Sequence, residues 1–322
     1  MKALTQHRYG TAGTLELRDI EQPRPAEGQV LVRVVAAGLD RGAWHLMAGE
    51  PYLMRVLGFG LRAPKVAVPG TNLAGVVETV GPVVTAFSPG DEVYGATRGT
   101  FAEYAVAPVG SLAPKPPRLT FEQAAVLPYP TFVALQGLHD HGHVQPGQRV
   151  LVVGASGAVG SIVVQLAAAA GARATGVCSG RHAGLVRSLG ASEVIDYTRD
   201  DLADGAHTFD LVLDVGGRTS VTRLRRALTR TGTLVILGGE GDRWIGGIQR
   251  QLWATALSPF MPQRLIAFVA KERAADLVRM NELVADGAVT PVLGPTFPLA
   301  DGAAAVAAFE SGDVEGRIVI TP

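Results

Sequence analysis

One stretch, residues 149–166, constrains the fold of this chain more than any other. Residues 149–153, Arg-Val-Leu-Val-Val, are aliphatic after the leading arginine and do not alternate with polar residues. This pattern predicts a buried parallel strand. A glycine-rich turn comes next, and an apolar, helix-like run extends from Ala158 to Ala170. The order of strand, glycine turn and helix is typical of nucleotide-binding βαβ units.

Each of the three regularly spaced glycines in this turn has its own predicted role. Gly154 lets the backbone turn sharply off the strand, Gly157 lets a pyrophosphate approach the backbone, and Gly160 lets the helix pack against the strand. N–H groups at the helix start then face the phosphates. An ordinary glycine-rich turn is the alternative, because the chain has 40 glycines. The residues assigned to the dinucleotide are Gly154, Ala155, Ser156, Gly157, Ala158, Val159 and Gly160.

The sequence after the second strand, residues 174–178, indicates which dinucleotide is bound. An NAD site usually places Asp or Glu about 20 residues after the glycines, to hold the ribose 2′-OH. Here no acid occurs between Gly154 and Glu193, and Ser179 and Arg181 follow the strand. Both can donate hydrogen bonds to a 2′-phosphate, which favours NADPH over NADH. The alternative for Arg181 is a solvated surface charge.

Length, charge and cysteine content limit the classes of function. A chain of 322 residues is long enough for two domains, and its formal net charge of zero gives no field that favours nucleic acid or an anionic membrane. The amino terminus lacks a signal-peptide core, and the longest apolar run is too short to span a bilayer. The single cysteine, Cys178, excludes an internal disulfide. We therefore expect a cytoplasmic protein without nucleic-acid or membrane partners.

Residues 123–289 continue the α/β pattern. Strands are predicted at 194–195, 209–214, 233–237 and 265–270, and helices at 183–189, 220–228 and 272–285. This alternation predicts right-handed βαβ units and a doubly wound parallel sheet, in which ligands lie beyond the carboxyl ends of the strands. The residues expected at that edge, besides Ser179, are Val215, Gly216, Leu237, Gly238 and Gly239.

Residues 1–122 have a different pattern, with short strand-like runs interrupted by Gly and Pro. Strands are predicted at 30–36, 75–80, 92–94 and 101–106, which indicates a compact, mostly β domain. Thr120 is placed to cap a helix that begins the next domain. Residues 290–322 return to turn-rich sequence, with a helix at 300–309 and a strand at 317–320. We expect this last strand to rejoin the first domain's sheet, with the ligand cleft between the domains.

Motifs distributed over almost the full length carry a family resemblance. They are residues 36–40 (AAGLD), 69–75 (PGTNLAG), 89–93 (PGDEV), 101–104 (FAEY), 154–160 (GASGAVG), 189–191 (LGA), 194–197 (VIDY) and 316–319 (GRIV). With them the chain resembles the medium-chain dehydrogenase/reductase superfamily, and within it the zinc-free quinone oxidoreductase branch.

The resemblance implies a GroES-like catalytic domain, residues 1–122 and 290–322, and a Rossmann domain, residues 123–289. It also implies NADPH, a homodimer, and hydride transfer to a quinone, an enone or a similar conjugated carbonyl. Tyr197 matches the position that relatives use near the 2′-phosphate and adenine, and Arg317 is a further cofactor candidate from the GRIV motif. Residues 265–270 could form the dimer edge.

This superfamily has zinc-dependent and zinc-free branches, and the sequence indicates that this chain has no zinc site. The chain has one cysteine, and Asp40 stands where zinc-dependent relatives carry their first cysteine ligand. Asp40, His45 and Glu78 could form an oxygen and nitrogen site, but we expect no metal. The histidine cluster at 139–143 (HDHGH) is interpreted as a solvated loop.

Without zinc, hydrogen bonds must polarise the substrate carbonyl, and a donor or water must supply a proton. His45 can donate a proton, or it can simply pack beside Trp44. Asp40 can orient His45 or cap a turn, and Tyr52 is a second donor candidate. Relatives commonly carry Asn and Tyr at positions 40 and 45, so both positions depart from the family here. Apolar side chains that suggest a pocket for a flat substrate, or core packing, are Trp44, Met47, Tyr52, Met54 and Phe59.

A further departure concerns the nicotinamide. The family often carries Thr, with its hydroxyl near the nicotinamide amide, where Val133 stands, and Thr131 lies two residues earlier. The leading hypothesis is an NADPH-dependent reductase of a quinone, enone or other activated carbonyl. The alternatives are an NADPH-binding protein without turnover, such as a redox sensor, and a non-reductive cyclase or isomerase.

Overall fold

The computed structural model describes residues 1–205 and 207–322. The strands are β1 (Lys2–Thr5), β2 (Glu16–Asp19), β3 (Gln29–Gly38), β4 (Asn72–Val80), β5 (Glu92–Ala96), β6 (Tyr104–Pro108), β7 (Leu112–Pro114), β8 (Arg149–Val153), β9 (Arg173–Cys178), β10 (Glu193–Asp196), β11 (Phe209–Asp214), β12 (Leu228–Ile236), β13 (Arg264–Ala267), β14 (Leu293–Pro298) and β15 (Arg317–Thr321). The helices are α1 (Arg41–Ala48), α2 (Tyr52–Met54), α3 (Phe121–Ala125), α4 (Pro128–Leu135), α5 (Ala158–Ala169), α6 (Ala183–Ser188), α7 (Val221–Arg226), α8 (Ile248–Leu257), α9 (Ala274–Ala285) and α10 (Gly302–Ser311). Across the described residues, no helix has both the length and the apolar character needed to cross a bilayer.

The chain divides into two compact units, and the second, residues 132–271, contains the parallel sheet. Its strand order is β10-β9-β8-β11-β12-β13, with every neighbouring pair parallel. This order confirms the predicted doubly wound sheet, and β8 lies in the middle of it because its residues are buried on both faces. The predicted strands near 194, 209, 233 and 265 correspond to β10, β11, β12 and β13.

The first unit comprises residues 1–131 and 272–322 and is built mainly from antiparallel strands. Its larger sheet has the order β14-β15-β3-β4-β5-β7, and β6 pairs with β3. The last strand, β15, pairs antiparallel with β3, with Val319 opposite Gly38. The prediction that the end of the chain rejoins the first domain's sheet is therefore confirmed. Alternate side chains of these strands, such as Val32 and Ile318, form the core of the unit.

The units divide after residues 131 and 271, whereas the expected domain limits were 122 and 289. Residues 123–131 and 272–289 pack with the first unit. Helix α3 has the predicted Thr120 cap, with a complete capping box, and lies so close to β3 that a Cβ on Gly38 would be 2.4 Å from the Ala125 carbonyl oxygen. The buried Tyr94 hydroxyl lies 2.9 Å from the Leu277 carbonyl of α9. These contacts explain why both helices belong with the strands of the first unit.

Candidate functional site

The glycine turn between β8 and α5 has the geometry that each glycine was predicted to need. Gly154 has φ +86°, a value that L side chains rarely adopt. A Cβ on Gly160 would lie 2.1 Å from the Gly154 carbonyl oxygen, so α5 packs directly on the turn. A Cβ on Gly157 would meet only the Gly154 oxygen, at 3.2 Å, and Gly157 caps α5 without a side chain that could accept from the first N–H groups. The turn therefore leaves open space in front of the helix start, which fits a pyrophosphate.

Part of the turn serves the protein itself. The N–H groups of Gly154 and Ala155 both donate to the Val177 carbonyl at 3.0 Å, and the Gly157 N–H donates to the Gly154 carbonyl at 3.0 Å. These bonds tie the turn to β9. Three of the seven loop residues assigned from the sequence therefore use their N–H groups within the protein.

The turns after β11 and β12 lie beside the glycine turn. The N–H groups of Val215 and Gly216 donate to the Val153 carbonyl at 3.0 and 2.9 Å, while those of Leu237 and Gly238 donate to the Asp214 carbonyl at 2.9 and 3.0 Å. A Cβ on Gly238 would lie 2.1 Å from the Val215 carbonyl oxygen, which requires glycine there. The expected cluster at the carboxyl edge of the sheet is therefore present, except that Gly239 approaches helix α8 through Gln251.

A buried ion pair fixes this edge, and the sequence interpretation missed it. Asp214 is completely buried at the end of β11 and accepts from the Arg250 guanidinium of α8 and from the Gly217 N–H. Arg250 also donates to the Gly217 carbonyl. Burial raises the pKa of Asp214, and the guanidinium opposes that rise. The sequence did contain a sign of this ion pair, namely an acidic residue at the end of an otherwise apolar strand. A buried carboxylate of this kind requires a partner.

The residues predicted around a 2′-phosphate lie together at the ends of β9 and β10. Ser179 and the exposed Arg181 follow β9 directly, and the Tyr197 N–H donates to the Cys178 carbonyl at 3.2 Å. The Ser179 hydroxyl lies 3.1 Å from Nδ1 of His182. The side chain of Tyr197 is exposed, which leaves its ring available to an adenine.

One acid at this place was not predicted, because it is distant from Ser179 in the sequence and becomes its neighbour only in the sheet. Asp196 is paired with Cys178 in the parallel register of β10 and β9, so its carboxylate lies beside Gly180. The side chain and N–H of Thr198 donate to it at 2.7 and 3.0 Å, and these bonds lower its pKa. A permanent negative charge thus stands close to Ser179 and Arg181.

In the first unit, Asp40 is the N-cap of α1. Its Oδ1 accepts from the Ala43 N–H at 2.7 Å, and its Oδ2 accepts from the Asn72 amide at 2.6 Å. Burial raises the pKa of this carboxyl, and the same hydrogen bonds lower it. Of the two roles considered for Asp40, capping is the one seen, because His45 directs Nδ1 at the Glu50 carbonyl, 2.8 Å away.

The other catalytic candidate, Tyr52, lies at the start of α2 with the Arg55 guanidinium 4.4 Å from its ring centroid. Arg55 lies at the same distance from the ring of Tyr9 and donates to the Gly49 carbonyl. Tyr52 therefore belongs to an aromatic and cationic stack. The His45 ring, in turn, packs edge-on against Trp44, with 5.3 Å between centroids.

The expected apolar pocket is only partly formed by the expected residues. A cleft with an open volume of about 410 Å³ includes Met47 and Phe59 in its lining, but not Tyr52 or Met54. Trp44 is also outside it, since its indole N–H donates to Glu310 at 2.8 Å. The residues that line the cleft are Gln6, Leu46, Met47, Phe59, Pro64, Lys65, Val66, Val68, Pro69, Gly70 and Arg98.

Three remaining predictions concern histidines, a metal and position 133. The prediction of a loop at 139–143 is wrong for His139 to His141, because a wider helical turn, Gln136–His141, continues α4 and His141 stacks on Phe268, whereas His143 lies beyond this turn and is exposed. Within residues 1–205 and 207–322, no three His, Cys, Asp or Glu side chains are grouped to bind a metal ion. The Thr131 hydroxyl and the Val133 side chain are both buried, and the former makes no hydrogen bond among the described residues.

Arg317 begins β15, in the unit that does not contain the glycine turn. Its side chain is half-buried; burial lowers the pKa of the guanidinium, and the Asp40 carboxylate opposes this shift. Arg317 therefore interacts electrostatically with Asp40 within the first unit.

Comparison with known proteins agrees with this arrangement. The family described as alcohol dehydrogenase GroES-like domain matches residues 26–117, and the one described as zinc-binding dehydrogenase matches residues 189–320. A 2-methylene-furan-3-one reductase of Solanum lycopersicum is 31% identical over 337 aligned positions, which cover 100% of this chain and 79% of the relative. The chain belongs to the quinone oxidoreductase-like branch of the medium-chain dehydrogenase/reductase superfamily.

Two further similar proteins agree with this family assignment. An NADPH-dependent alkenal/one oxidoreductase of the Arabidopsis thaliana chloroplast is also 31% identical, over 100% of this chain and 80% of its own length. The solved structure of the quinone oxidoreductase from Coxiella burnetii superposes with a TM-score of 0.88 at 25% identity, covering 100% and 99% of the two chains. As a family member, this protein is an oxidoreductase with a nicotinamide cofactor, and the open turn at Gly157 fits the phosphates of that cofactor.

Proposed function

We propose that this protein is an NADPH-dependent reductase of a quinone, an enone or another conjugated carbonyl, and that it works without zinc. The observation that carries the proposal is the open glycine turn at Gly157 in a chain that aligns over its full length with reductases of such compounds. NADPH, when bound, supplies a hydride. The protein's own residues must then hold the carbonyl oxygen and provide a proton.

The proposed preference for NADPH rests on Ser179, Arg181 and Tyr197. These residues surround the place where a 2′-phosphate would lie if the pyrophosphate binds at the glycine turn and the adenosine extends toward the end of β9. Arg181 offers a charged donor there, whereas Asp196 weakens the attraction. The test is a titration with NADPH and with NADH, followed by nicotinamide fluorescence, of wild type, Arg181→Ala and Arg173→Ala. Arg173 is a matched control, because it is an exposed arginine at the opposite end of the same strand.

We expect wild type and Arg173→Ala to prefer NADPH, and Arg181→Ala to lose at least tenfold in NADPH affinity while keeping its affinity for NADH. That minimum loss corresponds to about 1.4 kcal/mol, close to the lower end of the range of about 1.5–3 kcal/mol for a charged hydrogen bond. Equal binding of both cofactors by wild type would contradict the NADPH preference and leave the reductase proposal standing.

The reductase proposal itself is tested by cofactor consumption. Purified protein with NADPH is supplied with 1,4-naphthoquinone or 2-cyclohexenone, and absorbance at the nicotinamide band is followed together with product formation. We expect one NADPH oxidised for each substrate reduced. The alternatives, a cofactor-binding protein without turnover or a non-reductive isomerase, predict binding without oxidation, and that result with a broad set of conjugated carbonyls would refute reduction.

The proposal of zinc-free catalysis rests on the donor chemistry of the chain. The single cysteine is buried in β9, and Asp40 has both carboxylate oxygens bonded to Ala43 and Asn72. We expect dialysis against EDTA to leave the NADPH oxidation rate unchanged, with less than 0.1 zinc per chain by elemental analysis as a criterion. A rate that falls with EDTA and returns with zinc would contradict this.

We propose in addition that the protein is a cytoplasmic homodimer. Strand β13 is at the edge of the parallel sheet, and large apolar residues near it are exposed, namely Leu252, Trp253, Phe260 and Val269. An uncovered edge strand with apolar neighbours pairs readily with a second copy. Light scattering should give twice the chain mass for wild type and the chain mass for Val269→Lys. A monomeric wild type at 10 µM, taken as about the concentration of the assay, would contradict the dimer.

A further inference from the structure

A chain of polar groups runs from the start of α1 to the start of α4 within the first unit. The Asn72 amide donates to Asp40 Oδ2 at 2.6 Å, and its oxygen accepts from the Tyr129 N–H at 2.8 Å. Asp40 and Asn72 are both buried. Because each bond uses a different end of the Asn72 side chain, the amide orientation is fixed, and with it the backbone position of Tyr129.

The ring of Tyr129 lies against the first turn of α1. A Cβ on Gly42 would be 3.7 Å from Cε1 of Tyr129, 3.9 Å from its Cζ and 3.2 Å from Asp40 Oδ1. The phenol and the carboxylate therefore flank the same open face of Gly42. A larger residue at position 42 would crowd both, so the absence of a side chain there lets the phenol lie beside the helix start.

The Tyr129 hydroxyl differs from those of Tyr9 and Tyr94 in its hydrogen bonding. The hydroxyl of Tyr9 donates to backbone carbonyls at Phe59 and Gly60, and that of Tyr94 has the Leu277 carbonyl and Asn281 within 2.9 Å. In the part of the chain that the structure describes, the Tyr129 hydroxyl makes no hydrogen bond; the residue is half-buried, and its hydroxyl oxygen is not one of the fully buried atoms that lack a partner. The backbone and ring are held in place while the hydroxyl stays accessible, which suits a donor to a ligand.

The charges around Tyr129 keep the phenol protonated. Burial raises the pKa of Tyr129 to about 12, and the carboxylates of Asp40 and Glu272 act in the same direction. Asp40 interacts electrostatically with Arg317, and Glu272 with Arg98. At neutral pH the hydroxyl is therefore a hydrogen-bond donor.

His45 is less suited to that role. Its Nδ1 lies 2.8 Å from the Glu50 carbonyl, an acceptor, so the neutral ring carries its proton on Nδ1. Nε2 then has a lone pair and no proton to donate.

We propose that Tyr129 is a catalytic residue, the donor that binds the substrate's carbonyl oxygen and gives it a proton. This rests on the proposed function. As hydride adds to the electrophilic carbon of an enone, the π electrons shift and the carbonyl π pair moves onto oxygen. That oxygen takes the Tyr129 proton, giving the enol, and water returns a proton to the phenolate. Asp40 and Asn72 act as positioning residues through the Tyr129 backbone.

Tyr129→Phe is the direct test, because the variant keeps the ring against Gly42 and the N–H bond to Asn72. General acid catalysis contributes roughly 10²–10⁴-fold. We therefore expect kcat/KM for 2-cyclohexenone to fall at least about 100-fold, while the Kd for NADPH and the thermal midpoint stay at wild-type values. The comparison variant His45→Phe should keep at least a third of the activity. Wild-type activity and an unchanged pH profile in Tyr129→Phe would overturn the assignment.

A second readout does not need turnover. Protein labelled with ¹³C at tyrosine Cζ is titrated with 2-cyclohexenone in the presence of NADP⁺, and Tyr129→Phe identifies the signal. We expect the Tyr129 signal to shift on adding the enone and to remain that of a phenol up to pH 10. An unmoved signal would overturn the proposal. Absence of NADPH oxidation by wild type would refute reduction itself, whereas an active Tyr129→Phe would refute only the role of this residue.

Discussion

The glycine turn offers a pair of alanine substitutions with opposite expected effects. Gly157 has φ −73° and ψ 176°, an ordinary conformation for alanine, and a Cβ there meets only one atom, at 3.2 Å. Reduced freedom of the unfolded chain stabilises such a change by about 0.4–1 kcal/mol, while replacing glycine by the poorer capping residue alanine costs roughly 0.5–1 kcal/mol. Gly157→Ala should therefore unfold within about 1 kcal/mol of wild type. Its methyl group, however, fills the space in front of the helix start.

Loss of one charged hydrogen bond to the pyrophosphate costs about 1.5–3 kcal/mol, so NADPH should bind Gly157→Ala roughly 10–100-fold more weakly. Gly160→Ala is the control. Its Cβ would lie 2.1 Å from the Gly154 oxygen and 2.9 Å from the Ala155 Cα, both of them backbone atoms. Such overpacking costs about 1–3 kcal/mol of folding free energy.

The assay combines nicotinamide fluorescence titration with urea unfolding of both variants and wild type. The account predicts that Gly157→Ala loses affinity and keeps stability, and that Gly160→Ala loses stability. Wild-type NADPH affinity in a folded Gly157→Ala would refute the phosphate assignment. A Gly160→Ala variant as stable as wild type would refute the close packing of α5 on the turn.

Three further predictions concern charges and the thiol of the second unit. Arg250→Met should cost about 3–5 kcal/mol by leaving Asp214 buried without its cation, and a urea midpoint equal to that of wild type would contradict this. Because burial raises the pKa of Asp214 in the folded protein, wild-type stability should fall as pH rises from about 4 through that raised pKa, and Asp214→Asn should remove this part of the pH dependence in urea unfolding. Asp196→Asn removes a charge beside Gly180 and should strengthen NADPH binding several-fold with NADH binding unchanged, so unaltered NADPH titrations would count against the 2′-phosphate position. Burial raises the pKa of the Cys178 thiol, so a thiol reagent at pH 8 should react only after unfolding in guanidinium, and rapid reaction of the native protein would disagree.

The sequence predicted those parts of the fold that local patterns determine. The apolar run of β8 and the spacing of Gly154, Gly157 and Gly160 are contiguous, and the structure gives that turn the expected backbone. The return of β15 to the sheet of β3 was also predictable, since the tail is too short and turn-rich to fold alone.

The parts that were missed depend on contacts between distant residues. Asp196 approaches Gly180 only because β10 and β9 are neighbours in the sheet, and Arg250 reaches Asp214 from a helix 36 residues later. Tyr129 lies beside Asp40 through Asn72, a connection that spans α4, β4 and α1. Neither hydrophobic periodicity nor a short motif indicates these pairings. The sequence therefore pointed to His45 and Tyr52 as proton donors, because both lie in a segment that is recognisable from the family motifs.

Hydride transfer from NADPH to a conjugated carbonyl can be followed with deuterium. Wild-type protein is given NADPH deuterated at C4, in separate samples for the two faces, with 2-cyclohexenone in ordinary water. We expect one face to deliver deuterium to the β-carbon of the product, with one NADPH consumed per product molecule. Product without deuterium from either face, or no product while NADPH binds, would rule out hydride transfer from NADPH.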